Sequence, residues 1–317
     1  MKPKGIRDKI SAKPMSVVNR VLDEIRRSGP ISFARYMEIC LYDPNDGYYT
    51  ANSREPFGRA GDYYTSAQLG TVFARVMAKR FEAMHEEVGG GEFTIIEVGP
   101  GRGDFGQELR NHFRYIPVEH GDPWPEQPIR GCIFSNEFFD ALPVRAYRGE
   151  EEVLVTEHDG NLDWDGLGKE APPDHERSPH AAEWMRRFAA TLERGYVVAV
   201  DYGYRGRERD RFPAGTLMTY RHHQASEDVF ADPGERDITA HVDFGLLADA
   251  GRAAGLVETA FDPQSRYLMR IGESDQFDCV FASCRTETER VQATLHLKNL
   301  LFGIGETMRV LEMSKQK

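Results

Sequence analysis

The sequence predicts an α/β protein built on a largely parallel sheet. Three observations predict it. Strand-type and helical segments alternate along the chain. The strand-type run Phe93-Thr94-Ile95-Ile96-Glu97-Val98 passes directly into Gly99-Pro100-Gly101-Arg102-Gly103, a glycine loop that opens a helix. The 317 residues are 40% hydrophobic and 29% charged, enough to bury a sizeable core and too apolar for a disordered chain.

The elements follow in order. Val17, Val18, Val21, Leu22 and Ile25 repeat at helical spacing and stop at Ser28-Gly29-Pro30. Ser32 is placed to cap a second helix through Phe33, Tyr36 and Met37, ended by the turn residues of Tyr42 to Gly47. A long helix carries Leu69, Val72, Phe73, Val76, Met77 and Phe81 and stops at Gly89-Gly90-Gly91. After the glycine loop, Phe105 and Leu109 start a short helix. Further strands are expected at Tyr115–Glu119, Cys132–Ser135 and Tyr196–Asp201. Val144–His158 reads as paired strands, and Asn161–Pro179, polar and holding Pro172-Pro173, as a loop or break. Phe244–Ala254 reads as a helix, Val257–Phe261 as a strand, Thr286–Leu301 as a helix and Met308–Met313 as a last strand. There is no internal repeat.

Composition narrows the function. A net charge of -11 excludes a general phosphate-backbone binder. It suits a cationic substrate such as an arginine or lysine side chain, and equally plain solubility. Cys40, Cys132, Cys279 and Cys284 form no C-x-x-C pair and read as buried thiols in a reducing compartment. No apolar run approaches the roughly 18 residues of a membrane span. The basic start Met1–Arg7 lacks a following apolar region, so a cytoplasmic protein is expected.

The glycine loop sits where doubly wound sheets bind ligands, and its glycines allow positive φ and close backbone approach. A dinucleotide fingerprint needs a glycine at 104, where Asp104 stands. Glu97, inside the strand, also suits a cationic ligand better than a pyrophosphate. S-adenosylmethionine (SAM), with its methionyl amine and sulfonium, fits these acids. Glu119, at the end of the next strand, can bond a ribose hydroxyl pair, a feature shared by NAD and SAM.

Four more segments stand in order around the loop. They are Gly61-Asp62-Tyr63-Tyr64-Thr65-Ser66, Asn136-Glu137-Phe138-Phe139-Asp140-Ala141-Leu142-Pro143-Val144, Asp201-Tyr202-Gly203 and Asp237-Ile238-Thr239-Ala240-His241-Val242-Asp243-Phe244. Together, over roughly Pro30 to Ala254, they make the chain resemble the MidA family of SAM-dependent methyltransferases. That family includes the mitochondrial complex I assembly factor with protein arginine methyltransferase activity. The resemblance implies a class I, Rossmann-like sheet of seven strands with helices on both faces. It implies an N-terminal helical extension with a cofactor-covering loop over 1–90, and a core over 91–317 with inserts at about 144–180 and 204–240. It implies that Gly99, Pro100, Gly101 and Gly103 line the cofactor, with Glu97, Glu119 and Asn136 beside them, and that Thr65 and Ser66 close over it. The arginine-methylating member implies symmetric dimethylation of an arginine on a respiratory-complex subunit. A small-molecule O- or N-methyltransferase, or an assembly factor that binds SAM with little turnover, stay open as alternatives.

One stretch departs from the family. Only eleven residues, His120 to Arg130, stand where a helix and a further strand are usual. Either the sheet lacks an edge strand there, or Glu119 is not the ribose acid. Trp124 is available to stack on the adenine, or simply to pack.

Methyl transfer from a sulfonium needs alignment and water exclusion rather than a metal or covalent intermediate. A guanidinium acceptor must be held and must lose a proton, for which carboxylates are the natural partners. Glu137 and Asp140 follow a strand end and, three apart, would share a face on a helical turn. They are the candidates to orient the acceptor or to bind the SAM amine, against a capping role. Asp201 is a further candidate, against a role in a turn. His241 and Asp243 alternate onto one side, facing either solvent or the cleft. His222-His223 lacks the companions of a metal site, so no metal is expected. The expected partners are a protein substrate or a small-molecule acceptor, without nucleic acid or membrane, and a homodimer is left open.

Overall fold

The computed structural model describes residues 16–51, 70–166, 172–222 and 224–316. The chain opens with helix α1 (Val17–Ser28), the short strand β1 (Ile31–Ser32) and helix α2 (Phe33–Tyr42). The Ser32 hydroxyl accepts from the Arg35 N–H and caps α2, as its position predicts. Helix α3 (Thr71–Glu87) leads to β2 (Thr94–Val98), α4 (Asp104–Leu109), β3 (Arg114–Val118) and β4 (Ile129–Asn136). Then come β5 (Arg145–Arg148), β6 (Glu151–His158), β7 (Asn161–Trp164), β8 (His175–Arg177), α5 (Ala181–Thr191) and the long β9 (Leu192–Tyr204). The second half holds β10 (Met218–Arg221), β11 (Gln224–Ser226), β12 (Asp237–Thr239), β13 (Val242–Asp243), α6 (Phe244–Ala253) and β14 (Val257–Pro263). It closes with α7 (Gln264–Gly272), α8 (Asp278–Phe281), α9 (Glu287–Phe302) and β15 (Met308–Lys315).

The central sheet runs β14-β15-β9-β4-β2-β3, with β13 paired to the end of β9. Strands β3, β2, β4 and β9 are parallel, and β15 lies antiparallel between β9 and β14. This is the expected α/β sheet of seven strands. Every residue of β2 is buried, as a central parallel strand covered on both faces must be. On one face α3, α4, α7 and α9 bury Phe73, Phe81, Phe105, Leu268 and Leu300 against Phe134 and Val198. On the other, α5 and α6 bury Phe188, Leu247 and Phe244 against Ile133, Val197 and Leu311. Among the described residues no strand pairs outside β3, which forms the edge of the sheet.

A third core joins the two ends of the first half. Helices α1 and α2 bury Val21, Phe33, Tyr36 and Met37 against Ala146 and Val155 of the inserted sheet β1-β6-β5-β8. The Tyr36 hydroxyl donates to the Val229 carbonyl at 2.7 Å and ties in the segment between β11 and β12. The expected pair of strands in 144–158 is present. The loop expected at 161–179 is corrected, because β7 and β8 lie within it. Asp159 and Gly160, both at positive φ (51° and 83°), turn β6 into β7 through a two-residue hairpin. Strand β8 forms only by pairing with the distant β5.

Candidate active site

Parallel register builds the site. Val98 lies opposite Val118 on one side and Ser135 on the other, and Asn136 lies opposite Val200. Gly99 and Glu119 therefore emerge level with Asn136 at the carboxyl edge of the sheet, and one residue further Glu137 stands beside Asp201 of β9. Gly99, Glu119 and Glu137 border a cavity of about 1010 Å³. Glu97, Gly99, Pro100, Gly101, Glu119, Asn136, Glu137 and Asp140 all line it; Gly103 caps the start of α4 beside it. Thr65 and Ser66 lie outside the described residues.

Gly99, Gly101 and Gly103 have φ of 70°, 53° and 73°. A side chain at Gly99 would also place its Cβ 3.3 Å from the Phe138 ring, so glycine is required there twice over. The Glu119 carboxylate accepts from the Gly101 N–H at 2.7 Å and fixes the loop against β3. Burial raises its pKa, and the Gly101 N–H opposes the rise. Glu97 is 2% exposed and accepts from the Tyr115 hydroxyl. Burial pushes its carboxyl up to about 8, against the hydrogen bond from Tyr115. Tight glycine backbone beside two acids that favour a cation over an anion is compatible with SAM, which carries an amine and ribose hydroxyls.

The segment after β4 is a turn, not the helical turn expected, so Glu137 and Asp140 do not share a helix face. Glu137 adopts φ 51°. The physical reason is Asp201, 1% exposed, whose Oδ2 accepts from the backbone N–H groups of Phe138, Phe139 and Asp140 at 3.2, 2.9 and 3.4 Å. The chain wraps around that carboxylate. Asp201 is not among the cavity-lining residues and works here as the anchor of the turn. Burial, then the charge of Glu137, raises its carboxyl to about 8. Asp140 is 3% exposed, and burial followed by the charges of Asp201 and Asp237 raises its pKa.

Trp124 faces the cavity with one side. Its ring stacks on Phe188 at 5.7 Å and its indole N–H donates to Thr191 at 2.7 Å, so it is a packed residue with a cavity-facing edge. Asp243 caps α6 through the N–H groups of Gly245 and Leu246. His241 packs edge-on to Phe212, and burial lowers its pKa to about 4. Neither of these two lines the cavity. Among the described residues no group of His, Cys, Asp and Glu could hold a metal ion.

Sequence reasoning missed part of the wall. Tyr42 at the end of α2, Tyr49 in the turns after it, His120, Trp184 and Asp237 also line the cavity. Asp237 opens a motif already singled out, but only the pairing of β12 with β10 turns it inward. The tyrosines carried no signal beyond lying in a turn.

Residues 106–261 match a family model described as a putative S-adenosyl-L-methionine-dependent methyltransferase. The chain is 25% identical to the Caenorhabditis elegans protein arginine methyltransferase NDUFAF7 homolog, mitochondrial, over 89% of this chain and 82% of the relative. It is 25% identical to the Xenopus laevis protein arginine methyltransferase NDUFAF7, mitochondrial, over 80% and 73%. A crystal structure of a methyltransferase-like protein from Burkholderia thailandensis, bound to S-adenosylhomocysteine, superposes with a TM-score of 0.81 at 25% identity, covering 94% of this chain and 92% of that one. The expectation of a cytoplasmic protein is corrected by these relatives, which are named as mitochondrial. No described helix is long and apolar enough to cross a membrane. Fold, glycine loop and relatives agree on a SAM-dependent methyltransferase whose sequence is similar to the MidA-type proteins.

Proposed function

We propose that the chain methylates an arginine side chain of a protein, with symmetric dimethylation as the outcome suggested by the family resemblance. The observation that carries this reading is the acidity of the cavity beyond the glycine loop. Glu137, Asp140 and Asp237 line it, the two aspartates nearly fully buried. A cavity lined by carboxyl groups favours a cation over an anion, and a guanidinium is a cation whose planar fork matches a carboxylate. The relatives named as protein arginine methyltransferases support the same reading.

SAM, when bound, supplies a methyl group already activated on a sulfonium. The loop Gly99–Gly103, with Glu97 and Glu119, would hold it. Glu137, on its left-handed turn, would orient the guanidinium. Asp140, whose raised pKa makes it a better base than an ordinary carboxylate, would take the proton that the guanidinium nitrogen sheds. Asp201 keeps both acids in place by anchoring their turn.

The test is transfer of labelled methyl from SAM in a lysate, with identification of the labelled species. Label in protein that hydrolyses to methylated arginine is expected. Label confined to a small metabolite would replace this reading with small-molecule methylation, and label on protein lysine would replace the acceptor.

A further inference from the structure

The acid-lined part of the cavity has a second wall, built by the N-terminal helices. Two tyrosines there reach the two walls separately. The Tyr42 hydroxyl donates to the carbonyl of Ala141, next to Asp140. The Tyr49 hydroxyl donates to Asp237 Oδ1 at 2.7 Å. Their rings stack on each other at 5.6 Å and 29°, and Tyr42 stacks on His120 at 4.5 Å and 26°. Tyr49 is itself held, since its N–H donates to the Leu41 carbonyl at the end of α2. The Ala240 N–H donates to the Asp140 carbonyl at 3.0 Å and draws the segment after β12 against the turn after β4. The separation of Asp140 from Asp237 is thus fixed by three hydrogen bonds and a ring stack.

We propose that Asp237, oriented by Tyr49, is a specificity-determining residue that binds the acceptor's planar cation opposite Glu137 and Asp140. The inference rests on the arginine reading above and adds a residue and a wall to it. The carboxyl groups of Asp140 and Asp237 in one cavity, beside stacked rings, suit a flat delocalised cation rather than a compact ammonium. The charge of Asp237 is one of the causes that raise the Asp140 pKa, after burial and Asp201, so a cation between them relieves both. Tyr49 acts through Asp237 and is a positioning residue.

The probe is ethylguanidinium, titrated by NMR into the S-adenosylhomocysteine-loaded full chain, with propylamine as the ammonium comparison. Wild type is expected to bind ethylguanidinium more tightly than propylamine. Asp237→Asn should weaken ethylguanidinium about tenfold and abolish that preference, with S-adenosylhomocysteine affinity within about twofold of wild type as the check on folding. Tyr49→Phe should weaken it about threefold alone and have no further effect in the Asp237→Asn background. Unchanged ethylguanidinium binding in Asp237→Asn overturns this inference and leaves the arginine reading standing. Additive effects of the two substitutions overturn the positioning role of Tyr49. Tighter binding of propylamine than of ethylguanidinium by wild type overturns both this inference and the arginine reading.

Discussion

Replacing Glu97 by glutamine should make the protein more stable, and increasingly so as pH rises. Glu97 is 2% exposed in the middle of the cofactor edge, and burial raises its carboxyl from the ordinary 4.5 to about 8. At about 1.36 kcal/mol per pH unit, that rise corresponds to a cost of about 5 kcal/mol for holding the group ionised in the folded chain. The sign follows from proton counting. Between pH 4.5 and 8 the folded chain binds more protons at this site than the unfolded chain. Stability therefore falls as pH rises through that window, by up to about 1.4 kcal/mol per unit, and levels off above it. Glutamine keeps an oxygen for the Tyr115 hydroxyl and cannot ionise. Urea unfolding of wild type and Glu97→Gln at pH 5, 6, 7 and 8, without cofactor, isolates the site, because the other buried acids are common to both. The gap between the two proteins should widen steadily in favour of the variant. A gap that stays constant across the series would refute the assignment of a raised pKa to Glu97.

Two further outcomes follow from buried carboxylates elsewhere. Glu312, 3% exposed, is held by Arg80, Tyr267 and Thr259, and Arg80→Met should cost about 3–5 kcal/mol in chemical unfolding because it strands that charge in the core. Asp201→Ala removes the acceptor of three N–H groups in the 138–140 turn; a loss of about 2–4 kcal/mol is expected, together with a fall in methyl transfer, whereas Asp201→Asn should recover part of both. Thermal unfolding and a transfer assay on the same samples check this pair.

The central sheet was legible because its strands are short apolar runs between helical patterns, and the loop because three glycines follow a buried strand directly. Ser32 declared its cap through its position before an apolar run. The cavity's acids were legible only as types. Glu137 and Asp140 looked like neighbours on a helix, since nothing local reveals that a carboxylate 61 residues onward gathers the N–H groups of the turn. Strand β8 and the inward face of Asp237 depend on pairing with distant strands, which local propensity does not encode. Tyr49 meets Asp237 across 188 residues, a contact made by the fold alone. The Asp159-Gly160 hairpin, by contrast, carries a readable turn signal just before the stretch whose polarity suggested a loop.

The most direct measurement compares methyl transfer and S-adenosylhomocysteine affinity in wild type and Glu137→Gln. With the cofactor on the glycine loop and the acceptor on the acids after β4, the two quantities should separate. Transfer to protein should fall by about 100-fold or more while the affinity stays near wild type. Wild-type turnover in Glu137→Gln, with the affinity likewise unchanged, would contradict the account.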